Sequence, residues 1–176
     1  MSESVKRHKA EAPRNLKFAI FICSTSRYEQ IKKNEKVKDA SGDLIESLLK
    51  NAGHTVAFRK LIPDDKALIE EGVRQSLAST DLDVVVFCGG TGIAPSDITI
   101  ETVSPFLEKV LPGFGEIFRL LSFENIGSAA VLSRVIAGVA KRKVFFCIPG
   151  SPDAVKLCFE KLILKEAAHI VKHARE

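Results

Sequence analysis

The chain has 176 residues, enough for one domain with its own core and too few for a second domain of ordinary size. Its net charge of +4 comes from 26 basic and 22 acidic residues, and no stacking aromatic side chains are interleaved with the basic ones. We therefore expect no nucleic acid among its partners and interpret the basic residues as a solvated tail and loop. No apolar run approaches the length of a membrane span, so we expect no membrane association either.

Four cysteines are scattered along the sequence, and none forms a Cys-x-x-Cys pair: Cys23, Cys88, Cys147 and Cys158. A zinc site needs clustered ligands, whereas a buried free thiol behaves as a small apolar side chain. The pattern favours free thiols in the core and a reducing compartment. The segment Met1–Pro13 has no apolar stretch typical of a signal peptide. We therefore expect a cytoplasmic protein.

The first third of the chain begins with polar and charged residues at positions 1–15, which predict a flexible tail before a single domain over residues 16–176. The apolar run Phe18–Cys23 predicts a strand that is buried on both faces. The segment Ser24–Lys38 is polar, basic and poor in apolar residues. It therefore indicates a loop, longer than most loops that join a strand to a helix.

Two predicted helices flank the second predicted strand. The hydroxyl of Ser41 could cap the first helix, which extends to about Asn51. The strand follows over Thr55–Leu61. The acidic segment Pro63–Asp65 opens the second helix, because acidic side chains in a first turn complement the helix dipole.

The second half of the chain contains two further continuous apolar runs. The strand Asp83–Cys88 ends in a glycine loop, and a helix begins near Thr99. The strand Lys143–Ile148 is followed by a long C-terminal helix that starts at Asp153. Between them, residues 112–140 are interpreted as helical stretches separated by glycines, with no repeat.

Alternating strands and helices predict an α/β fold of three layers, α/β/α, with a mostly parallel sheet. In such sheets, ligands bind beyond the carboxyl ends of the strands. Three segments with special chemistry leave a strand at that end: Ser24–Arg27, Gly89–Asp97 and Pro149–Asp153. We therefore expect these segments to converge on one crevice.

The glycine loop consists of Gly89, Gly90, Thr91 and Gly92. Glycine allows positive φ and close approach, so successive amides of the loop could bind a phosphate. A plain tight turn is an equally good interpretation. The loop matches neither the Rossmann fingerprint nor a P-loop, since no third glycine and no lysine–hydroxyl pair follow it.

A second glycine-containing segment, Pro149-Gly150-Ser151-Pro152, stands between a predicted strand and a predicted helix. The unpaired amides of a helix N-terminus can bind an anion. Simple punctuation between a strand and a helix explains the segment as well.

Two aspartates follow predicted strands on this side of the sheet. Asp97 lies on the glycine loop just before the helix at Thr99, and Asp64 follows the second strand. We expect both carboxylates to line the crevice, together with the glycine loop and Ser151. Either carboxylate could help to hold Mg²⁺, which takes one or two carboxylates together with substrate phosphates. The structural alternatives are that Asp97 caps the helix and that Asp64 complements a helix dipole.

A series of motifs runs in fixed order from the glycine loop to the end of the last strand. The motifs are Gly89–Gly92 with Asp97–Thr99, Pro112–Glu116 with Arg119, Leu132–Arg134 with Ala137-Gly138, and Pro149–Ser151 with Ala154-Val155. Further matching positions are Asp39, Ser41-Gly42 and Ile62–Asp65. The series resembles the MoaB/MogA molybdopterin-binding family, most of all MoaB, over residues 16–169. Several motifs in order are far more specific than a lone glycine loop.

The resemblance implies a molybdopterin-binding-like fold that assembles as trimers or hexamers, with molybdopterin bound at the strand ends. It implies Mg²⁺-dependent adenylylation, in which ATP and molybdopterin give adenylylated molybdopterin and pyrophosphate. It assigns catalysis and Mg²⁺ binding to Asp97 and Asp64. It assigns ligand binding to Ser24, Gly89, Gly90, Thr91, Gly92, Pro149, Gly150 and Ser151.

One departure from the family pattern lies at Ser24–Arg27, where the family usually has Ser-Asp-Thr-Arg or Ser-Asp-Arg and this chain lacks the acidic residue. Two functions remain open. The chain is either an adenylyltransferase or a carrier or scaffold that binds molybdopterin without turnover. The presence of both aspartates favours the enzyme.

Overall fold

A sheet of six strands lies at the centre of the computed structural model, which describes residues 12–176. Numbered in chain order, β1 to β6 span Lys17–Cys23, Thr55–Ile62, Val84–Cys88, Lys109–Val110, Ile136–Ala140 and Lys143–Ile148. Their spatial order is β2-β1-β3-β6-β5-β4. The neighbouring strands β2, β1, β3 and β6 are parallel to one another. β5 pairs antiparallel with β6 on one side and with the edge strand β4 on the other. The prediction of a mostly parallel sheet is confirmed.

Helices cover both faces of the sheet. Numbered in chain order, α1 to α7 span Thr25–Lys32, Ala40–Asn51, Lys66–Ala78, Thr99–Val103, Pro112–Ile126, Pro152–Cys158 and Leu164–Arg175. A π-helical turn, Phe159–Ile163, joins α6 to α7, and 3-10 turns span Ser104–Phe106 and Gly127–Leu132. One apolar cluster contains residues of α2, α5, α6 and α7, and the other contains residues of α3 and α4. The predicted three-layer α/β/α fold is confirmed.

The three central strands are in register. Phe18 of β1 lies beside Val84 of β3, which lies beside Val144 of β6. All residues of β3 and β6 are buried. Because helices cover both faces, alternate residues of a strand enter opposite cores, and the sequence of each strand is a continuous apolar run. The same register brings the carboxyl ends of the three strands to one edge.

The segment Ser24–Lys38 contains a helix that the sequence did not reveal. α1 begins at Thr25 with Ser24 as its N-cap, and it buries none of its residues. A helix without a buried apolar stripe lacks the periodicity by which helices are recognised in a sequence. The prediction of a loop was therefore wrong for Thr25–Lys32.

The N-terminus of α2 also differs from the prediction. Asp39 is the N-cap, and its Oδ1 accepts a hydrogen bond of 3.0 Å from the backbone N–H of Gly42. Ser41, predicted as the cap, is buried and donates from Oγ to the carbonyl oxygen of Gly150 at 2.6 Å. Aspartate and serine are similarly good caps, so the pattern alone did not distinguish two candidates so close in the chain.

Residues 112–140 form fewer helical pieces than the sequence indicated. α5 runs unbroken through Gly113 and Gly115, and it ends at Gly127, which has a φ of +61°. β5 was not predicted, since its sequence Ile-Ala-Gly-Val-Ala has neither a continuous bulky run nor alternation of polar and apolar residues. The small residues of β5 fit under the edge strand, where a Cβ on Gly138 would lie 2.6 Å from the carbonyl oxygen of Lys109.

The four cysteines are buried and free, as the sequence predicts. Burial raises the pKa of the Cys23 thiol to about 12, and the nearby charge of Asp64 acts in the same direction. Among residues 12–176, no helix is both long and apolar enough to cross a membrane. The predicted tail, residues 1–15, lies mostly outside the described residues, so the tail, the single domain and the cytoplasmic location stay predictions.

Candidate functional site

A cleft of about 990 Å³ opens at the carboxyl edge of the parallel strands. The ends of β1, β3 and β6 meet there because these strands are neighbours in the sheet. The structure brings together the three segments singled out in the sequence. The residues of those segments that line the cleft are Ser24, Arg27, Gly89, Gly90, Thr91, Gly92, Asp97, Pro149, Gly150, Ser151 and Asp153.

The glycine loop requires glycine at its first two positions. Gly89 has a φ of +108°, and a Cβ on it would lie 2.2 Å from the carbonyl oxygen of Cys23. Gly90 has a φ of +60°, and its Cβ would lie 2.4 Å from both Asp64 Oδ1 and Thr99 Oγ1. Side chains are therefore excluded from this part of the cleft wall, which is formed by backbone.

The second glycine segment packs directly against the first. A Cβ on Gly150 would lie 3.3 Å from the Cα of Gly89. The carbonyl oxygen of Gly150 accepts the hydrogen bond from Ser41 Oγ, and Cys88 Sγ lies 3.5 Å from the carbonyl oxygen of Pro149. Buried groups of the core thus hold both loops in one relative position.

Two predicted ligand-binding serines act as helix caps. Ser151 Oγ accepts from the N–H of Ala154 at 3.4 Å, and Ser24 Oγ accepts from the N–H of Arg27 at 3.5 Å. Both caps start a helix at the cleft, so the positive ends of two helix dipoles face the same volume. An anionic ligand is favoured there.

Asp97 lies on the cleft wall, where it closes the glycine loop. Its Oδ2 accepts a hydrogen bond of 2.9 Å from the N–H of Ala94 and faces Gly92, whose Cβ would lie 2.6 Å away. The alternative of a helix cap does not hold, because α4 is preceded by Ile98 and has no side-chain cap. The carboxylate of Asp97 is half-buried at the cleft.

Asp64 lies behind the glycine loop, although we expected it on the cleft wall. Its Oδ2 accepts from the backbone N–H of Thr25 at 3.0 Å and from Thr25 Oγ1 at 2.9 Å. Thr25 Oγ1 in turn accepts from the N–H of Asp64 at 2.9 Å. These bonds turn the other oxygen, Oδ1, toward Gly90, where it is buried and accepts no hydrogen bond from residues 12–176.

The contact with Thr25 also explains the departure from the family pattern at Ser24–Arg27. Thr25 stands near the place where an acidic residue was expected. A second carboxylate beside Asp64 would repel it, whereas Thr25 donates two hydrogen bonds to it. The missing acid is thus replaced by a residue that donates two hydrogen bonds to Asp64.

Four cationic side chains line the cleft, and none was assigned a role from the sequence: Arg27, Arg134, Lys156 and Lys161. Arg27 pairs with Asp39 at 3.2 Å, and Arg134 pairs with Glu101. Partial burial acts to raise the pKa of Glu101. The hydrogen bond from Arg134, a backbone hydrogen bond at Glu101 and the charge of Arg134 together outweigh it and hold that pKa below its ordinary value. Glu101 therefore stays ionised and fixes Arg134 at the rim.

Comparisons with known proteins agree with this geometry. Residues 19–169 match the family described as "Probable molybdopterin binding domain". The chain is 46% identical to "Molybdenum cofactor biosynthesis protein B" of Bacillus anthracis over an alignment of 168 residues, and the alignment covers 95% of each chain. It is 42% identical over 176 residues to "Molybdopterin adenylyltransferase" of Pyrococcus furiosus, which covers 98% of this chain and 99% of the relative.

A crystal structure of a molybdenum cofactor biosynthesis protein B superposes with a TM-score of 0.85 and 44% identity, covering 94% of this chain and 99% of the other. Sequence and fold thus agree over nearly the whole chain, and the resemblance drawn from the motifs is confirmed. The chain belongs to the molybdopterin-binding domain family of molybdenum cofactor biosynthesis proteins.

Proposed function

We propose that the chain transfers the adenylyl group of ATP to molybdopterin and releases pyrophosphate. The observation that carries the proposal is one cleft in which two glycine segments, the Asp97 carboxylate and four cationic side chains meet. A relative with 42% identity over 98% of this chain bears the name of this activity. The cleft of about 990 Å³ is at the upper end of the usual size of ligand pockets, which suits a site for two substrates.

The reaction joins an oxygen of the molybdopterin phosphate to the α-phosphorus of ATP. The bond from that phosphorus to the oxygen that bridges it to the β-phosphorus breaks, and pyrophosphate leaves with the electron pair. Such transfers depend on alignment and charge neutralisation more than on covalent catalysis. In this proposal the amides of Gly89–Gly92 donate to phosphate oxygens, and Arg27 and Arg134 neutralise their charge.

The carboxylate oxygen atoms around the glycine loop are ligands of the type that Mg²⁺ prefers. Asp64 Oδ1 is a buried carboxylate oxygen without a hydrogen-bond donor among residues 12–176, and Asp97 lies on the cleft side of the same loop. We infer that these two residues hold Mg²⁺, which supplies positive charge to the triphosphate. The described residues contain no cluster of three or more His, Cys, Asp or Glu ligands, and Mg²⁺ commonly takes its remaining ligands from phosphates and water.

The proposed activity is tested by measuring pyrophosphate release from ATP with metal-free molybdopterin and Mg²⁺. We expect release that requires both molybdopterin and Mg²⁺, because the acceptor phosphate and the charge on the triphosphate are both needed. Reactions that lack molybdopterin are the control for simple ATP hydrolysis. If molybdopterin binds and no pyrophosphate appears, the adenylyltransferase is excluded and the carrier or scaffold remains.

A homo-oligomer is supported by apolar residues on α5 and the 3-10 turn after it. The exposed fractions of these residues, here called the α5 face, are Ile117 48%, Leu120 62%, Phe123 59%, Ile126 55%, Val131 80% and Leu132 56%. The first four follow one another at three-residue intervals, so they form an apolar stripe that winds part of the way around α5. An exposed apolar surface of this kind indicates a protein interface, and homodimeric or higher interfaces are the more apolar ones. We propose that other copies of the chain cover it, in trimers or hexamers.

Substituting Phe123 with aspartate is expected to lower the mass in solution to that of a single chain, since a carboxylate in an apolar interface is desolvated without a partner. Multi-angle light scattering measures the mass at fixed protein concentration. The matched control is Ile31→Asp on α1, where an apolar residue of similar exposure, 49%, lies away from the α5 face. A Phe123→Asp protein that keeps the wild-type mass would contradict the assignment of the interface.

A further inference from the structure

A second cleft, of about 610 Å³, lies at the opposite edge of the sheet, around the amino-terminal ends of β1, β3 and β6. It is lined by five cationic and two acidic side chains: Lys17, Lys141, Arg142, Lys143, Arg175, Asp81 and Asp83. Positive charge is therefore in excess in this cleft. The adenylyl-transfer site does not account for it, since that site is at the carboxyl edge.

Only two of the five cationic groups pair with the acidic ones. Lys17 Nζ lies 2.6 Å from Asp81, and the Arg175 guanidinium donates to Asp83 Oδ1. The Arg142 guanidinium donates to the backbone carbonyl oxygen of Arg175 and has no carboxylate partner among residues 12–176. Both acidic side chains of the cleft are thus paired, and Lys141, Arg142 and Lys143 form no ion pair with any residue of the range 12–176.

Lys143 differs from the other cations of the cleft in its burial. It is 8% exposed, yet it makes neither a hydrogen bond from its ammonium group nor an ion pair within the described part of the chain. Burial lowers the pKa of Lys143, and the charges of Arg175 and Lys141 lower it further, whereas Asp83 acts in the opposite direction. The carbon stem of Lys143 is therefore largely buried, while its ammonium group opens onto the cleft beside other cations. A bound anion would relieve the repulsion among these like charges.

The neighbouring turn holds two further cations at the rim. Lys141 and Arg142 connect β5 to β6 with φ values of +43° and +65°, a left-handed conformation that residues other than glycine rarely adopt. The backbone N–H of Lys141 donates to Glu108 Oε1 at 3.1 Å, which fixes the turn. Both side chains are exposed and line the cleft beside Lys143.

We propose that this cleft is a second anion site, which binds a phosphate group through the ammonium of Lys143 and the two rim cations Lys141 and Arg142. A phosphate dianion supplies both the charge that the cluster lacks and several acceptor oxygens. Lysine is a compact charge that can donate three hydrogen bonds to such a group. The inference does not depend on adenylyl transfer, because no residue of this cleft lines the carboxyl-edge cleft.

The test compares thermal unfolding of the full chain in inorganic phosphate and in chloride at equal ionic strength. For wild type we expect the Tm to rise by about 5 °C when phosphate reaches a hundred times its dissociation constant. For Lys143→Met we expect a higher Tm than wild type in chloride, because the unpaired charge is gone, and a much smaller rise in phosphate. The matched control is Lys165→Met, an exposed lysine of α7, which should respond as wild type does.

Equal phosphate-dependent rises in wild type, Lys143→Met and Lys165→Met would overturn the proposal, since the anion would then act elsewhere. A parallel titration with AMP distinguishes a nucleotide phosphate from free phosphate, and a response that depends on Lys143 with either probe supports the site. Amide resonances of residues 141–143 in the wild-type protein give a readout that needs no variant. They should shift as phosphate is added, and their failure to shift would also overturn the proposal.

Discussion

Replacing Asp97 with alanine is expected to lower molybdopterin-dependent pyrophosphate release by at least about a hundredfold in kcat/KM, or about 2.7 kcal/mol of transition-state stabilisation. Asp97 is the half-buried carboxylate on the wall of the carboxyl-edge cleft, and it both closes the glycine loop and faces the proposed position of Mg²⁺. Its removal is expected to lower the affinity for the proposed Mg²⁺ and to leave the N–H of Ala94 without its acceptor. Initial rates at several Mg²⁺ concentrations measure the effect.

Asp153→Ala is the matched control for Asp97→Ala. Asp153 is an exposed carboxylate in the first turn of α6 and lines the same cleft, so the control removes an equal charge without touching the glycine loop. We expect its rate to stay within a few-fold of wild type. Binding of molybdopterin by Asp97→Ala, followed by fluorescence, verifies that the cleft is intact. An Asp97→Ala protein with the wild-type rate would remove this residue from catalysis.

Gly89→Ala is expected to lower the free energy of unfolding by at least about 3 kcal/mol. The new Cβ would lie 2.2 Å from the carbonyl oxygen of Cys23, a backbone atom of β1 that cannot move without disturbing the central sheet. The φ of +108° adds strain for any residue with a side chain. Urea unfolding measures the change, at one protein concentration because the proposed homo-oligomer would make stability depend on concentration.

Gly113→Ala is the matched control for Gly89→Ala. Gly113 lies in the first turn of α5, and nothing lies within 4 Å of the position that a Cβ would occupy. Alanine there should change stability by less than about 1 kcal/mol, in the stabilising direction, because alanine restricts the unfolded chain more than glycine does. If Gly89→Ala unfolds at the same urea concentration as Gly113→Ala, the tight contact with Cys23 does not exist in solution.

Those parts of the fold that are buried on both sides were predictable from the sequence. The runs Phe18–Cys23, Val84–Cys88 and Lys143–Ile148 are continuous because each strand fills two cores at once, and short glycine segments follow the last two. Parallel neighbours bring the ends of such strands to one edge. The position of the cleft therefore followed from local patterns together with one rule of topology.

Features that depend on contacts between distant segments could not be predicted. α1 buries no side chain and leaves no periodic pattern, and the two-residue strand β4 exists only because β5 lies beside it. Asp64 was expected on the cleft wall because it follows a strand, yet its orientation is fixed by Thr25, 39 positions earlier. Lys143 looked like the polar first residue of a strand, and its burial depends on the turn and the C-terminal helix around it.

The order of the strands in the sheet affects how the chain folds while it is being synthesised. β3 can pair with β1 early, because β1 precedes it in the chain. The other edge of β3 stays unpaired until β6 is synthesised, after all the residues of α4 and α5. During those several seconds of elongation the apolar run Val84–Cys88 presents an unpaired strand edge. The face of the sheet that α6 and α7 cover stays open longer still, because these helices are the last to be made. The nascent chain is therefore most prone to aggregation between the synthesis of β3 and the release of its C-terminus.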